Sequence, residues 1–388
     1  MNVPAKNSLD SLVSFCRSQA WIGYDPYDAL NSRGLRAVPL LMKNKTFRLL
    51  FLHLHKRSFI NFRPFMGVPK GRNPKGTGLF LSGAVRLYRR SQDPTYEDLI
   101  REFVSWLKAD ASSGFHGHCW GYNFDWQSRA FFLPRGTPTV VCTSYIGRAL
   151  LDAFDALGNR ECLEIARSSC DFILSDLNRV EDQDSLCFSY SPMDRYFVHN
   201  ATALASSLLS MTYRHTGENE LARLAAKAMN HVVRHQRSDG TWAYGEDTVA
   251  QKTGTDNFHT GFILECLKIY SDGTGDVTFM PNLKKGLEAY QDMFFLSDGA
   301  PKYFPGRAYP LDIHSAAQAI LTFLALKDVG ADQSLCRKVL NWMIDNMQDK
   351  AGYFYYQKTR HLTNRIPYMR WSQAWAFLAL STYLLYDD

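Results

Sequence analysis

The chain has 388 residues, 46% of them hydrophobic and 14% aromatic, which supplies a packed core and excludes extensive disorder. Lys and Arg outnumber Asp and Glu by 44 to 38, a net charge of +6 whose densest clusters, HKRSF, PKGRNPKG and RLYRRS, are short. This balance argues against a nucleic-acid binder and suits an anionic substrate or a membrane surface, while no run of 18 apolar residues predicts a spanning helix.

The first residues, MNVPAKNSLDSLVSFCRSQAW, lack the basic-then-apolar order of a signal peptide. Eight cysteines include no CxxC pair, and Cys162, Cys170, Cys266 and Cys336 sit in helix-like stretches. They read as small buried hydrophobes, so a reducing, cytoplasmic compartment is expected. Residues 1–75 form an N-terminal extension in this reading, with RAVPLLMKNKTFRLLFLHLHK (Arg36–Lys56) as the first outer helix.

Beyond residue 76 the periodicity predicts paired helices. One member of each pair is apolar on all sides: Gly78–Tyr88, Val140–Phe154, His199–Tyr213, Phe258–Tyr270, Ile313–Leu326 and Ser372–Leu385. The other is amphipathic: Tyr96–Ala109, Arg160–Leu174, Asn219–Gln236, Leu283–Phe295 and Gln333–Met347. Helices apolar all round are buried, and one-sided helices face solvent. Aligned on Thr143, Asn200, His259, His314 and Gln373, the apolar helices recur at steps of 57, 59, 55 and 59 residues. A hairpin repeat of that length predicts an all-α, closed (α/α)6 toroid over residues 76–388, one structural domain with long aromatic-rich loops gathered on one face.

The polar residues just ahead of the inner helices then converge on one funnel. As individual residues, Asp, Asn, Ser and Thr at these positions are helix caps. Histidine is not a preferred cap, and Asp256/His259 echo Asp312/His314 in successive repeats. His259 and His314 are therefore the expected acid–base pair, with Asp256 and Asp312 orienting the imidazoles. Aromatic faces beside amides and carboxylates make a sugar-binding surface. The expected substrate contacts are Trp120, Asp125, Trp126, Gln127, Thr143, His199, Asn200, Trp242, Tyr244, Asn257, Tyr303, Arg307, Arg370, Trp371 and Gln373. Tyr122 is a further aromatic platform, and Arg370 would hold a substrate carboxylate.

Other chemistries find less support. HGHC (His116–Cys119) packs its candidate ligands too densely for a tetrahedral site, and no HExxH occurs. PKGRNPKG lacks the GK[ST] ending of a phosphate loop, and no GxSxG elbow is present. No metal and no cofactor are expected.

Three phrases, WIGYDPYDALNS, NFRPFMGVPKGRNPKG and HCWGYNFDWQSRAFFLPRGTPTVVCTS, resemble bacterial proteins found with surface-polysaccharide biosynthesis. The chain more broadly resembles the six-hairpin glycosidase and epimerase superfamily. That group includes glucuronyl C5-epimerases, N-acylglucosamine 2-epimerases and unsaturated glucuronyl hydrolases. The resemblance implies an acidic oligo- or polysaccharide substrate and association with polysaccharide-assembly enzymes. In the 2-epimerases two histidines exchange the proton, a role His259 and His314 would match. HQRSDGTWAYG is also similar to the QW repeat of squalene cyclases and prenyltransferases, but the DxDD motif is missing. The leading expectation is a uronosyl C5-epimerase or lyase. The alternatives are a glycoside hydrolase using two of Asp125, Asp256 and Asp312, a non-catalytic glycan-binding scaffold and, remotely, a terpenoid enzyme.

Overall fold

A computed structural model describes residues 2–245 and 254–387. Six inner helices form a closed ring: α5 (Pro74–Ser91), α7 (Val140–Leu157), α9 (His199–Thr216), α11 (Asn257–Thr274), α13 (Ile313–Ala325) and α15 (Trp375–Tyr386). Each packs on the next, and α15 returns to α5. Glycines bring them close. A Cβ on Gly83 of α5 would lie 2.4 Å from the Phe377 ring of α15, and one on Gly78 would lie 2.9 Å from Ile146 of α7. Either neighbour would have to move, so this tight part of the ring requires glycine.

The outer layer is α1 (Val3–Ser18), α6 (Pro94–Ala109), α8 (Arg160–Ser175), α10 (Asn219–Arg234), α12 (Met280–Met293) and α14 (Gln333–Met347). The sixth outer helix is α1, which packs on α14 and α15 and buries Ala5, Leu9, Leu12 and Cys16. The Arg36–Lys56 segment, expected in that place, instead forms α2 (Arg33–Arg36), α3 (Pro39–Lys43) and α4 (Lys45–Arg57). Pro39 and the Asn44 cap break it, and in α4 only Leu52 and His55 are buried. It therefore has no continuous apolar stripe to seat on the ring. The first inner helix begins at Pro74, just inside the expected extension.

The inner helices start at one end of the ring, where side chains cap them. Asn73, Thr139, Asp256 and Asp312 accept backbone N–H bonds from Gly76, Cys142, His259 and His314 respectively. Such a cap contributes about 1 kcal/mol, so these polar residues follow from helix physics before any chemistry is invoked. The connections over this end carry short antiparallel strands: β1 (Trp126–Gln127) with β2 (Phe132–Leu133), and β3 (Arg179–Glu181) with β4 (Leu186–Phe188). A four-stranded sheet runs in the order β5 (Lys302–Phe304), β6 (Arg307–Asp312), β7 (Gln357–Lys358), β8 (Thr363–Asn364). Its register sets Asp312 opposite Gln357 at the mouth of α13.

Candidate active site

A cavity of about 190 Å³ opens at the capped end of the ring. Its wall combines Tyr27, Tyr122, Trp126, Tyr190, Tyr244, Phe258, Phe262, Tyr303 and Trp371 with Lys75, Asn200, Asp256, His259, His314 and Arg370. Many aromatic faces with a few convergent polar groups are the composition of a small-molecule site.

Asp256 does two things at once. Its Oδ1 accepts the backbone N–H of His259 at 3.0 Å, which starts α11, and its Oδ2 lies 2.6 Å from His259 Nδ1. The carboxylate thereby holds the proton on Nδ1, leaving Nε2 as the basic nitrogen. The His259 ring is further fixed by Tyr244 and Phe258, with ring centroids 4.7 and 4.3 Å away. A carboxylate-oriented, partly accessible imidazole on a cavity wall has the parts of a general base.

His314 is held differently. Its ring stacks on Phe258 at 4.5 Å and 11°, with Trp375 at 4.2 Å and Trp371 edge-on at 4.7 Å. Neither ring nitrogen has a hydrogen-bond partner among the described residues. Burial, aided by the positive charges of Lys75 and Arg370, drives its pKa well below the usual histidine value, so it stays neutral. Asp312 does not orient this ring. It accepts the His314 backbone N–H at 2.8 Å, Gln357 Nε2 at 2.6 Å and Trp371 Nε1 at 3.0 Å. Complete burial pushes its carboxyl up to about 6.

Arg370, expected to grip a substrate carboxylate, is already engaged. Its Nε and Nη2 donate to the two oxygens of buried Asp25 at 2.6 and 2.8 Å. No local pattern points to this partner, because the two residues are 345 positions apart.

In the sequence Lys75 stands in PKGRNPKG, which reads as a failed phosphate loop and marks no role for it. In the fold it lies in the first turn of α5, buried, with Nζ 4.4 Å from the Tyr145 ring centroid and 5.4 Å from that of Trp375. Burial, and next the charge on Arg370, lowers its pKa to about 7. An amine poised to hold or release a proton near neutrality is what proton-transfer chemistry uses.

Of the expected substrate contacts, Trp126, Asn200, Tyr244, Tyr303 and Trp371 line the cavity. Other candidates are used inside the scaffold. The Trp120 and Trp242 indoles donate to the carbonyls of Leu107 and Val232, and Thr143 Oγ1 accepts the Trp120 backbone N–H. Gln373 bridges both backbone groups of Phe354, Gln127 accepts from Arg48, and Asn257 accepts the Tyr290 hydroxyl. Asp125 accepts from the Arg135 backbone and Arg36, outside the cavity wall. Arg307 is exposed on β6, and His199 is buried behind the wall. The helix-start pattern points to the end of the ring where the cavity opens and does not separate caps and plugs from cavity residues.

A second hollow of about 520 Å³ shares Tyr122, Phe124 and Arg370 with the cavity. Arg36, Lys70, Arg72 and Arg135 line it, beside Asp25, Asp28 and Asp110. Asp25 is paired with Arg370 and Asp28 with Arg63, so most of its acidic charge is already neutralised.

No protein-family profile and no curated protein matches the chain. Solved structures do. Cellobiose 2-epimerase from Bacillus thermoamylovorans B4167 superposes with a TM-score of 0.65 at 12% identity, covering 82% of this chain and 88% of that one. The fold is shared. A D-mannose isomerase matches with a TM-score of 0.62 at 13% identity, covering 82% and 87%. A GH76 α-mannanase from Bacteroides thetaiotaomicron matches at 0.60 and 15%, covering 81% and 87%. At such identities the likeness establishes the (α/α)6 toroid architecture alone.

Proposed function

We propose that this protein is a carbohydrate-active enzyme that moves a proton on the carbon beside the carbonyl of an open-chain sugar unit. The observation that carries the reading is the Asp256–His259 pair on an aromatic cavity that also holds Lys75. Nε2 of His259 takes the proton from C2, and the electron pair moves into an enediolate. Lys75, in its cationic form, stabilises the developing negative charge on oxygen. Return of the proton by His259 to C1, as the O2 hydroxyl proton passes to O1, gives the ketose, and its return to C2 after the enediolate has turned its other face to His259 gives the epimer. His314, held neutral against Phe258 and Trp375, positions the sugar hydroxyls. The likeness in fold to a 2-epimerase and a mannose isomerase supports this chemistry.

A uronosyl C5-epimerase uses the same kind of proton transfer, but its carboxylate clamp would have to be Arg370, which Asp25 already occupies. Acid recognition fits better in the adjoining hollow, where Lys70, Arg72 and Arg135 can meet anionic groups on the rest of an oligosaccharide. Among the described residues the hydrolase reading has one carboxylate on the cavity wall, Asp256, because Asp312 is buried behind it and Asp125 lies elsewhere. Two facing carboxyls are needed for that mechanism.

The test is incubation in D₂O with neutral aldoses and with acidic oligosaccharides bearing a reducing end, followed by proton NMR. Deuterium at C2 with a new epimer or ketose is the expected result, lost in His259→Gln. New reducing ends without deuterium exchange would instead establish hydrolysis.

A further inference from the structure

Behind the cavity three histidines meet. His199 opens inner helix α9, His231 lies in the last turn of outer helix α10, and His235 caps that helix. His231 and His235 are four residues apart, so both rings project from one helix face. One ligand atom from each imidazole lies within 4.8 Å of the others. Ring centroids are separated by 4.5 Å (His231–His235), 4.6 Å (His199–His235) and 5.7 Å (His199–His231).

The surroundings fix which nitrogens can act as ligands. His235 Nδ1 lies 2.8 Å from the His231 carbonyl and donates there, which sets the tautomer of the neutral ring with its proton on Nδ1. His231 Nδ1 faces Ser185 Oγ at 3.3 Å. His199 is only 3% exposed, and its Nδ1 has no hydrogen-bond partner. A buried imidazole nitrogen left unpaired is costly, and a bound cation would satisfy it.

We propose that His199, His231 and His235 bind one divalent transition-metal ion of the zinc class, clipping inner helix α9 to outer helix α10. Three imidazoles with ligand atoms within 4.8 Å of one another suit zinc. The ion would sit one residue from cavity-lining Asn200, giving metal availability a structural route to the site.

The test uses the full chain, stripped with chelator and titrated with Zn²⁺ alone and with Co²⁺ alone. The expected result is one equivalent bound per chain, a rise in melting temperature of about 4 °C or more, and intense visible absorption from four-coordinate Co²⁺. His235→Ala, at an exposed position, should fold and bind at least about tenfold more weakly. His231→Gln, with its fold checked by circular dichroism, should do the same. Absence of stoichiometric binding, or binding unchanged in both variants, would overturn the proposal.

A different observation carries a second inference. Residues 29–92 contain no Asp or Glu. Within that stretch Leu40, Leu50, Leu54, Ile60 and Phe65 are all more than 60% exposed, beside the exposed cations Lys43, Lys45 and Arg57. Large apolar tips among cations, with no acid between, fit the interface of an anionic bilayer. We infer that this face docks on an anionic lipid surface. Lys56 of α4 lies 4.3 Å from the Tyr27 ring at the cavity, so docking would bring the site's rim to the membrane. Sedimentation with phosphatidylglycerol/phosphatidylcholine vesicles should capture the protein, and phosphatidylcholine vesicles should not. Leu50→Ser/Leu54→Ser should weaken capture about tenfold or more. Equal capture of variant and wild type, no capture by anionic vesicles, or a solution dimer that the variant abolishes would each overturn it.

Discussion

Asp256 binds His259 twice, through the backbone N–H at 3.0 Å and the ring Nδ1 at 2.6 Å, so one carboxylate both starts helix α11 and sets the tautomer of the imidazole. Capping and orientation are therefore separable by a substitution that keeps one and disrupts the other.

Asp256→Asn makes that separation. Asn is as good a cap as Asp, so stability should change by about 0.5 kcal/mol or less. The amide can no longer hold a charged or correctly protonated His259, and kcat should fall by about 100-fold or more. Thermal melts and steady-state kinetics on the same preparation check the two halves. A loss of stability matching the loss of activity would reduce Asp256 to a cap.

Lys75 makes stability depend on pH in a defined direction. Its pKa is lowered from 10.5 to about 7 in the folded chain, so between those values the unfolded state binds the extra proton. Stability should consequently rise as pH goes from about 7 towards 10.5. Below pH 7 the folded protein carries the full cost of a buried ammonium, on the order of 4 kcal/mol. Lys75→Met should relieve that cost, stabilise the protein most at pH 6, flatten this part of the profile and abolish activity. Urea denaturation across pH 6–9 measures it.

Much of this architecture was legible because helix period and repeat length are local properties. The five alignment residues, Thr143 through Gln373, all fall within three residues of where a helix or helical turn begins on one end of the ring. The echo of Asp256/His259 in Asp312/His314 correctly found two cavity histidines, because the toroid repeats geometry as well as pattern. It did not carry over to Asp312, since repetition says where a helix starts and not where a side chain turns. Asp256 faces its imidazole, whereas Asp312 is drawn away by Gln357 and Trp371. Lys75 and the Asp25–Arg370 pair were illegible for a different reason. Their significance comes from burial and from contacts that close the chain on itself, and neither leaves a local signature.

The Asp25–Arg370 pair can be apportioned by a double-mutant cycle. Both side chains are buried, and the bond is bidentate. Asp25→Asn alone strands a guanidinium without its counter-charge and should cost about 3–5 kcal/mol. Arg370→Met alone strands the carboxylate at a similar cost. The double variant should lose clearly less than the sum, because neither charge is left unpaired. Chemical denaturation of the four proteins gives the coupling energy, and simple additivity would show that the two charges do not stabilise one another.

If the hollow beside the cavity holds the anionic remainder of the substrate, its cations should affect binding and leave the chemical step alone. Arg72 is stacked on Trp106 at 3.6 Å, and Arg135 contributes its backbone N–H to Asp125, so replacing either side chain removes charge without disturbing a buried ion pair. Arg72→Gln and Arg135→Gln should each raise KM for an acidic oligosaccharide several-fold while kcat stays within about twofold, the pattern of an interaction present equally in ground and transition states. The same variants should leave KM for a neutral aldose unchanged. Raising the salt concentration should penalise the wild type more than either variant, because exposed charge pairs are screened over about 10 Å at 0.1 M. A fall in kcat with an unchanged KM would place these arginines on the reacting unit and remove the division between cavity and hollow on which the acidic-substrate reading depends.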